Sequence, residues 1–159
     1  MTGLQRAFIQ YCRVYVWVVF LEFFLAGLGS FHATDDYHLH NLFGLGLLAG
    51  SGLMLLWTIA GRFPGFLIRM TAQLVAINAL MLWTGIVNED APADADLERG
   101  LAAFHVVIAV GIYVLASVIV RRAAAAFGVK PPLTLFNLVS RLKRAGRSPA
   151  SSETGSSND

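Results

Sequence analysis

Two histidines and one glutamate, set in otherwise apolar surroundings, carry most of the chemistry this sequence offers: His40, His105 and Glu22. An imidazole can move a proton, ligate a metal through one ring nitrogen, or hold a hydrogen bond through either. Two imidazoles facing each other between helices can do something narrower. Each can supply one axial nitrogen to the iron of a six-coordinate b-type haem, with the porphyrin filling the gap between the helices. His40 and His105 are the candidates for that pair. Gly44, one turn beyond His40, and Gly111, about two turns beyond His105, would leave room for the macrocycle. The simpler reading is that each imidazole caps a helix end or bonds to loop carboxylates such as Asp35 and Asp36. His32 and His38 lie in a polar segment and are expected to be solvated.

Glu22 falls inside an apolar run, and Asn78, Gln73 and Ser51 are further polar side chains inside such runs. Counting about 1.5 Å per residue from run ends near Phe31 and Val87 puts Glu22 and Asn78 at one depth, about 13 Å, with Ser51 similar. A carboxyl group at that depth should face the bundle interior and find hydrogen-bond partners. It is then either a proton-carrying or ligand-binding group, or a clamp to Asn78 or Ser51 that holds the first helix against its neighbours.

The elements that must position these groups are four apolar runs, at about 11–31, 42–60, 66–87 and 101–120. A hydrocarbon core about 30 Å thick needs about 20 residues of helix, and all four runs are near that length. Composition agrees: 56% of residues are hydrophobic, 14% are charged and the mean hydropathy is +0.62, too few polar groups to cover a water-facing surface. The expected fold is all-α, a polytopic bundle of four transmembrane helices over residues 1–122. Arg6, Arg13, Arg62, Arg69, Arg121 and Arg122 flank one set of helix ends, whereas the first and third connections are rich in carboxylates. The positive-inside rule then places both termini in the cytoplasm. Net charge is only +2, so this basicity reflects topology and gives no support to a nucleic-acid partner. The first run is too long for a secretory signal and carries Glu22 in its middle, which argues against cleavage. Cys12 is the one cysteine, which excludes an intramolecular disulfide; it reads as a small apolar filler, with lipidation as a remote second reading.

Small residues indicate how the helices meet. Gly46-x-x-x-Gly50, with Gly44 and Gly52, flattens the second helix, and Ala26, Gly27, Gly29 and Ser30 do the same for the first, so that backbones can approach closely. Trp17, Trp57 and Trp83 read as packing or interfacial anchors. Beyond the fourth run, residues 123–147 read as a basic amphipathic segment in the cytoplasmic headgroup layer, or as a basic tail that enforces topology. Residues 148–159 have a low-complexity, disordered composition.

The segment Glu22-Phe-Phe-Leu-Ala-Gly-Leu-Gly-Ser-Phe31, followed by His40-Asn-Leu-Phe-Gly44 and by Phe104-His105, resembles the small actinobacterial four-span membrane proteins grouped as domain of unknown function 6220. In that family the first position is usually Gln and the last His is usually followed by Pro; here they are Glu22 and Val106. The resemblance covers about residues 8–122. It implies a four-helix protein of the bacterial cytoplasmic membrane and points to His40 and His105, without naming a reaction. In topology and in its two histidines the chain is also similar, more distantly, to four-span haem proteins of the bacterial cytochrome b561 type.

Three classes of function follow. One is a non-catalytic accessory protein, packed in the lipid bilayer against a larger membrane complex or as a homo-oligomer. Another is a mono-haem b-type electron carrier ligated by His40 and His105, exchanging electrons with a quinone at the outer leaflet. The third is a small proton-coupled carrier centred on Glu22. Internal repeats, from which many carriers are built, are not evident between spans one–two and three–four; phosphate-cradling glycine loops and nucleophile elbows are absent from the sequence, so an enzyme of the familiar soluble kinds is not expected.

Overall fold

The apolar runs form four helices: α1 (Gly3–Phe31), α2 (His38–Ala60), α3 (Gly65–Glu89) and α4 (Ala95–Ala126). This is a computed structural model, and it describes residues 1–31, 38–89 and 95–129. Each helix is long and apolar enough to cross a membrane. Among the described residues the chain is all-helical, the fold of a polytopic membrane protein. From residue 130 onward, the amphipathic and disordered segments expected from the sequence lie outside the described residues, as does His32.

Every helix begins or ends beyond its apolar run, and local hydrogen bonds close the start of α1 and the end of α4. At the start of α1, Gln5 N–H donates to Thr2 Oγ1 at 3.3 Å while Thr2 N–H donates to Gln5 Oε1 at 2.9 Å, a reciprocal capping box. At the end of α4, Val129 N–H reaches Ala124 O and Gly128 N–H reaches Ala125 O, with Gly128 at φ +69°. That is the Schellman closure, in which a left-handed residue satisfies carbonyls the helix would leave open. The helix therefore ends at Ala126, ahead of Pro131-Pro132 in the sequence.

The helices pack as a ring, α1 on α2, α2 on α3, α3 on α4 and α4 on α1. The diagonal pairs make no backbone contact among the described residues. Consecutive helices alternate in direction, so α1 ends, α2 begins, α3 ends and α4 begins at one end of the bundle, here the histidine end. The other is the arginine end, carrying Arg6, Arg62, Arg69, Arg121 and Arg122 on exposed or partly exposed positions.

Lipid is as apolar as the core, so close packing and polar contacts must hold the ring together. At the arginine end, Phe63 in the α2–α3 turn lies 5.1 Å from Phe8 and 5.0 Å from Phe127, ring centre to ring centre, both edge-on. Trp57 packs against Phe8 and Tyr11, whereas Trp17 and Trp83 point outward, 71% and 59% exposed. Thr58 and Thr71 join α2 to α3 with hydroxyl oxygens 3.2 Å apart. Between α1 and α2, Tyr11 Oη donates to Gly50 O at 3.0 Å and Tyr15 Oη to Leu47 O at 3.1 Å. The two tyrosine rings lie over Gly50, where a Cβ would stand 3.2–3.3 Å from them. Of the second helix's glycines, Gly50 serves this close approach; a Cβ on Gly44, Gly46 or Gly52 would meet nothing within 4 Å.

Candidate functional site

Near the histidine end, one polar side chain from each helix turns inward: Glu22 from α1, His40 from α2, Thr84 from α3 and His105 from α4. Glu22 is 8% exposed and Thr84 is buried; the two imidazoles are partly buried. Glu22 Oε1 stands 2.6 Å from His40 Nδ1. The two atoms are in close contact, carboxyl oxygen against ring nitrogen, without hydrogen-bond alignment. Glu22 Oε2 is buried and accepts no hydrogen bond among the described residues.

His105 is held from α3. Thr84 Oγ1 lies 2.8 Å from Met81 O, to which it donates, and 3.2 Å from His105 Nδ1. A hydroxyl has one proton to give, so with that proton on the Met81 carbonyl the Nδ1–H donates to Thr84, which leaves Nε2 as the basic nitrogen of the ring. A carboxylate beside His40 Nδ1 favours the proton on that nitrogen too. The two rings face each other across the α2/α4 diagonal with centroids 6.0 Å apart and planes tilted by 57°.

The structure thus brings together His40, His105 and Glu22, and adds Thr84, which nothing in the sequence had singled out. It corrects the depth count. Glu22 lies level with His40 and Thr84, and Asn78 sits six residues deeper along α3, about 9 Å. The reason is that α1 continues nine residues past Glu22, to Phe31, beyond the level at which α2 has begun. Glu22 is therefore paired with His40, and the clamp to Asn78 or Ser51 does not form. Asn78 Nδ2 donates to Leu74 O at 2.7 Å and Ser51 Oγ to Leu48 O at 2.8 Å, each within its own helix, and both flank the Tyr15 hydroxyl.

Between this deeper polar layer and the ionisable cluster come Val19, Leu47, Ile108 and Ile112, all buried. Gly44 stays on the His40 face of α2, with open space where its Cβ would be. Gly111 does not join the cluster. It opens, with the exposed Gln73, onto a groove between α3 and α4. Among the described residues no three of His, Cys, Asp and Glu converge as ligands of a bare metal ion.

Fold and site together define a four-span helical membrane protein with a polar cluster drawn from all four helices, three of its members ionisable. Residues 22–85 match a family of unknown function, DUF6220. That match spans Glu22, His40 and Thr84 and stops short of His105. No curated protein and no solved structure matches the chain.

Proposed function

We propose that this protein binds one b-type haem between His40 and His105 and serves as a one-electron carrier near one face of the membrane. The observation that carries this reading is the pairing of two imidazoles across the bundle diagonal at 6.0 Å, each engaged at Nδ1 by a side chain from a neighbouring helix. Two imidazoles this close, on facing helices, would hold the iron of one haem between them. Outer contacts at Nδ1 are what orient a ligating histidine and raise its basicity toward the metal. His40 and His105 would hold a haem iron between them, and among the described residues no set of three His, Cys, Asp or Glu offers a site for a bare ion. Bound there, haem would supply reversible one-electron chemistry.

Two competing readings are less well supported. A proton-coupled carrier needs a polar route through the bilayer, and the layer of Val19, Leu47, Ile108 and Ile112 separates Glu22 from the polar groups below it. A purely structural subunit gains little from ionisable groups inside a bundle, because they are costly there. The arginine distribution favours both termini in the cytoplasm, which sets the cluster toward the outer face of a bacterial cytoplasmic membrane. The match over residues 22–85 favours membership of DUF6220 for the whole four-helix unit.

The test is an absorption spectrum of detergent-purified protein from a haem-supplemented host. A strong Soret band with sharp alpha and beta bands on reduction is expected, lost in His40→Ala and in His105→Ala and kept in His32→Ala. A colourless, helical, monodisperse preparation from that host would overturn the proposal.

A further inference from the structure

The outward face formed by α3 and α4 holds a second anomaly. Gln73 stands eight residues into α3, whose membrane-spanning stretch is Gly65–Gly85, so its amide lies within about 3 Å of mid-span. It is exposed on the bundle surface and makes no hydrogen bond among the described residues. At that depth no water reaches it, and an unsatisfied amide in hydrocarbon is expensive. The amide lines an otherwise apolar groove of about 720 Å³ beside Gly111, where a Cβ would meet nothing within 4 Å. Alongside runs an exposed ridge of α4: Val107, Val110 and Val114.

We infer that this face docks a second copy of the same chain, with Gln73 of each copy hydrogen-bonded to the other about a twofold axis along the membrane normal. A lipid chain would fill the groove and leave the amide unpaired. A primary amide both donates and accepts, so it is complementary to itself, as an isologous contact requires. A ridge flanking a groove is likewise self-complementary, since the rotation sets the valines of one copy into the groove of the other. Gly111 then has a role that the cluster of histidines does not give it, allowing close approach of helices where only packing and polar contacts drive association. The inference is independent of haem binding.

Energy transfer between separately labelled copies, reconstituted in phosphatidylcholine vesicles over a range of protein-to-lipid ratios, measures the association. Wild type is expected to self-associate. Gln73→Leu should weaken the dimer by about threefold to thirtyfold, the range found for interhelical polar pairs in membranes. Gln73→Asn should retain most of it, and Gly111→Leu, which fills the groove, should abolish it. Both sites face outward, so helical content and monomer stability serve as folding controls. A wild-type protein that stays monomeric at the highest density overturns the inference. So does a dimer whose affinity is unchanged by Gln73→Leu and Gly111→Leu, since it would use another face.

Discussion

Glu22 Oε1 and His40 Nδ1, 2.6 Å apart, join α1 to α2 at the level where α4 brings in His105. Glu22 is largely buried in this contact, so removing one partner leaves a polar group of the other desolvated without its neighbour. Glu22→Leu is expected to destabilise the folded protein by about 1–3 kcal/mol. Glu22→Gln keeps the shape and an acceptor oxygen and should cost about 1 kcal/mol or less. Reversible unfolding in mixed detergent measures both. Equal stability of all three forms would show that the contact does not hold α1 to α2.

Thr84 bears on the site differently. Thr84→Val keeps the volume and removes the oxygen that meets His105 Nδ1 at 3.2 Å. If His105 ligates haem, loss of this orienting contact should weaken haemin binding by about 10- to 100-fold, the usual effect of such outer contacts. Spectroscopic titration of apoprotein gives the affinity directly. An unchanged affinity, with the wild-type spectrum, would remove Thr84 from the site.

Much of this arrangement was legible in the residues. Run lengths indicate four spans, and a helix start at Thr34-Asp35-Asp36, which lies outside the described residues, brings His40, like His105, about one turn inside its helix. Thr84 was not legible, since a lone Thr in an apolar run usually bonds its own helix, as Thr58 and Thr71 also do. Its signal was its level, one turn in from the histidine end of α3. Equating helix ends with membrane edges puts Glu22 too deep, because α1 runs nine residues past it, to Phe31. Gln73 could have been separated from Asn78 by spacing alone. Five residues turn a helix by about 140° beyond one full turn, so the two amides cannot share a face. Leu67, Thr71, Leu74 and Asn78, at steps of three and four, mark the buried side.

Orientation rests on charge and is open to direct measurement. Single cysteines at Ala93 and Ser151, in a Cys12→Ala background, should differ in reactivity toward an impermeant maleimide applied to intact cells. Position 93 is expected to label and position 151 to label only after lysis. The reverse pattern would invert the protein and move the cluster to the cytoplasmic side.

The second helix offers a matched pair of glycines. At Gly50 a new Cβ would press on Tyr11 Oη and the Tyr15 ring at 3.2–3.3 Å and disturb both tyrosine hydrogen bonds to α2. Gly50→Ala should destabilise by about 1–3 kcal/mol through overpacking. At Gly46, one turn away, a Cβ meets nothing within 4 Å, so Gly46→Ala should be neutral or stabilising by up to about 1 kcal/mol. Unfolding of the two variants side by side separates a packing glycine from a permissive one. Similar losses in both would mean that α1 and α2 approach along the whole Gly46–Gly50 edge.

The α2–α3 turn makes the sharpest contrast, because two adjacent residues should respond in opposite directions. Phe63 N–H bonds to Thr58 O and Arg62 N–H to Ile59 O, the Schellman pattern again, but the left-handed position at φ 50° is occupied by Arg62 rather than glycine. A side chain there costs about 1–2 kcal/mol, so Arg62→Gly should stabilise the protein by about 1 kcal/mol. Gly61, one residue earlier, is required for space. A Cβ there would come within 2.7 Å of the Phe63 ring and 2.9 Å of Trp57 O. Phe63 is the ring that ties this turn to Phe8 and Phe127, and it cannot withdraw without opening that aromatic cluster. Gly61→Ala should therefore lose about 1–3 kcal/mol. Thermal unfolding in one detergent ranks the forms as Arg62→Gly, wild type, Gly61→Ala in falling stability. A Gly61→Ala variant as stable as wild type would show that the turn can relax around Phe63, and that the aromatic cluster does not fix the arginine end of the bundle.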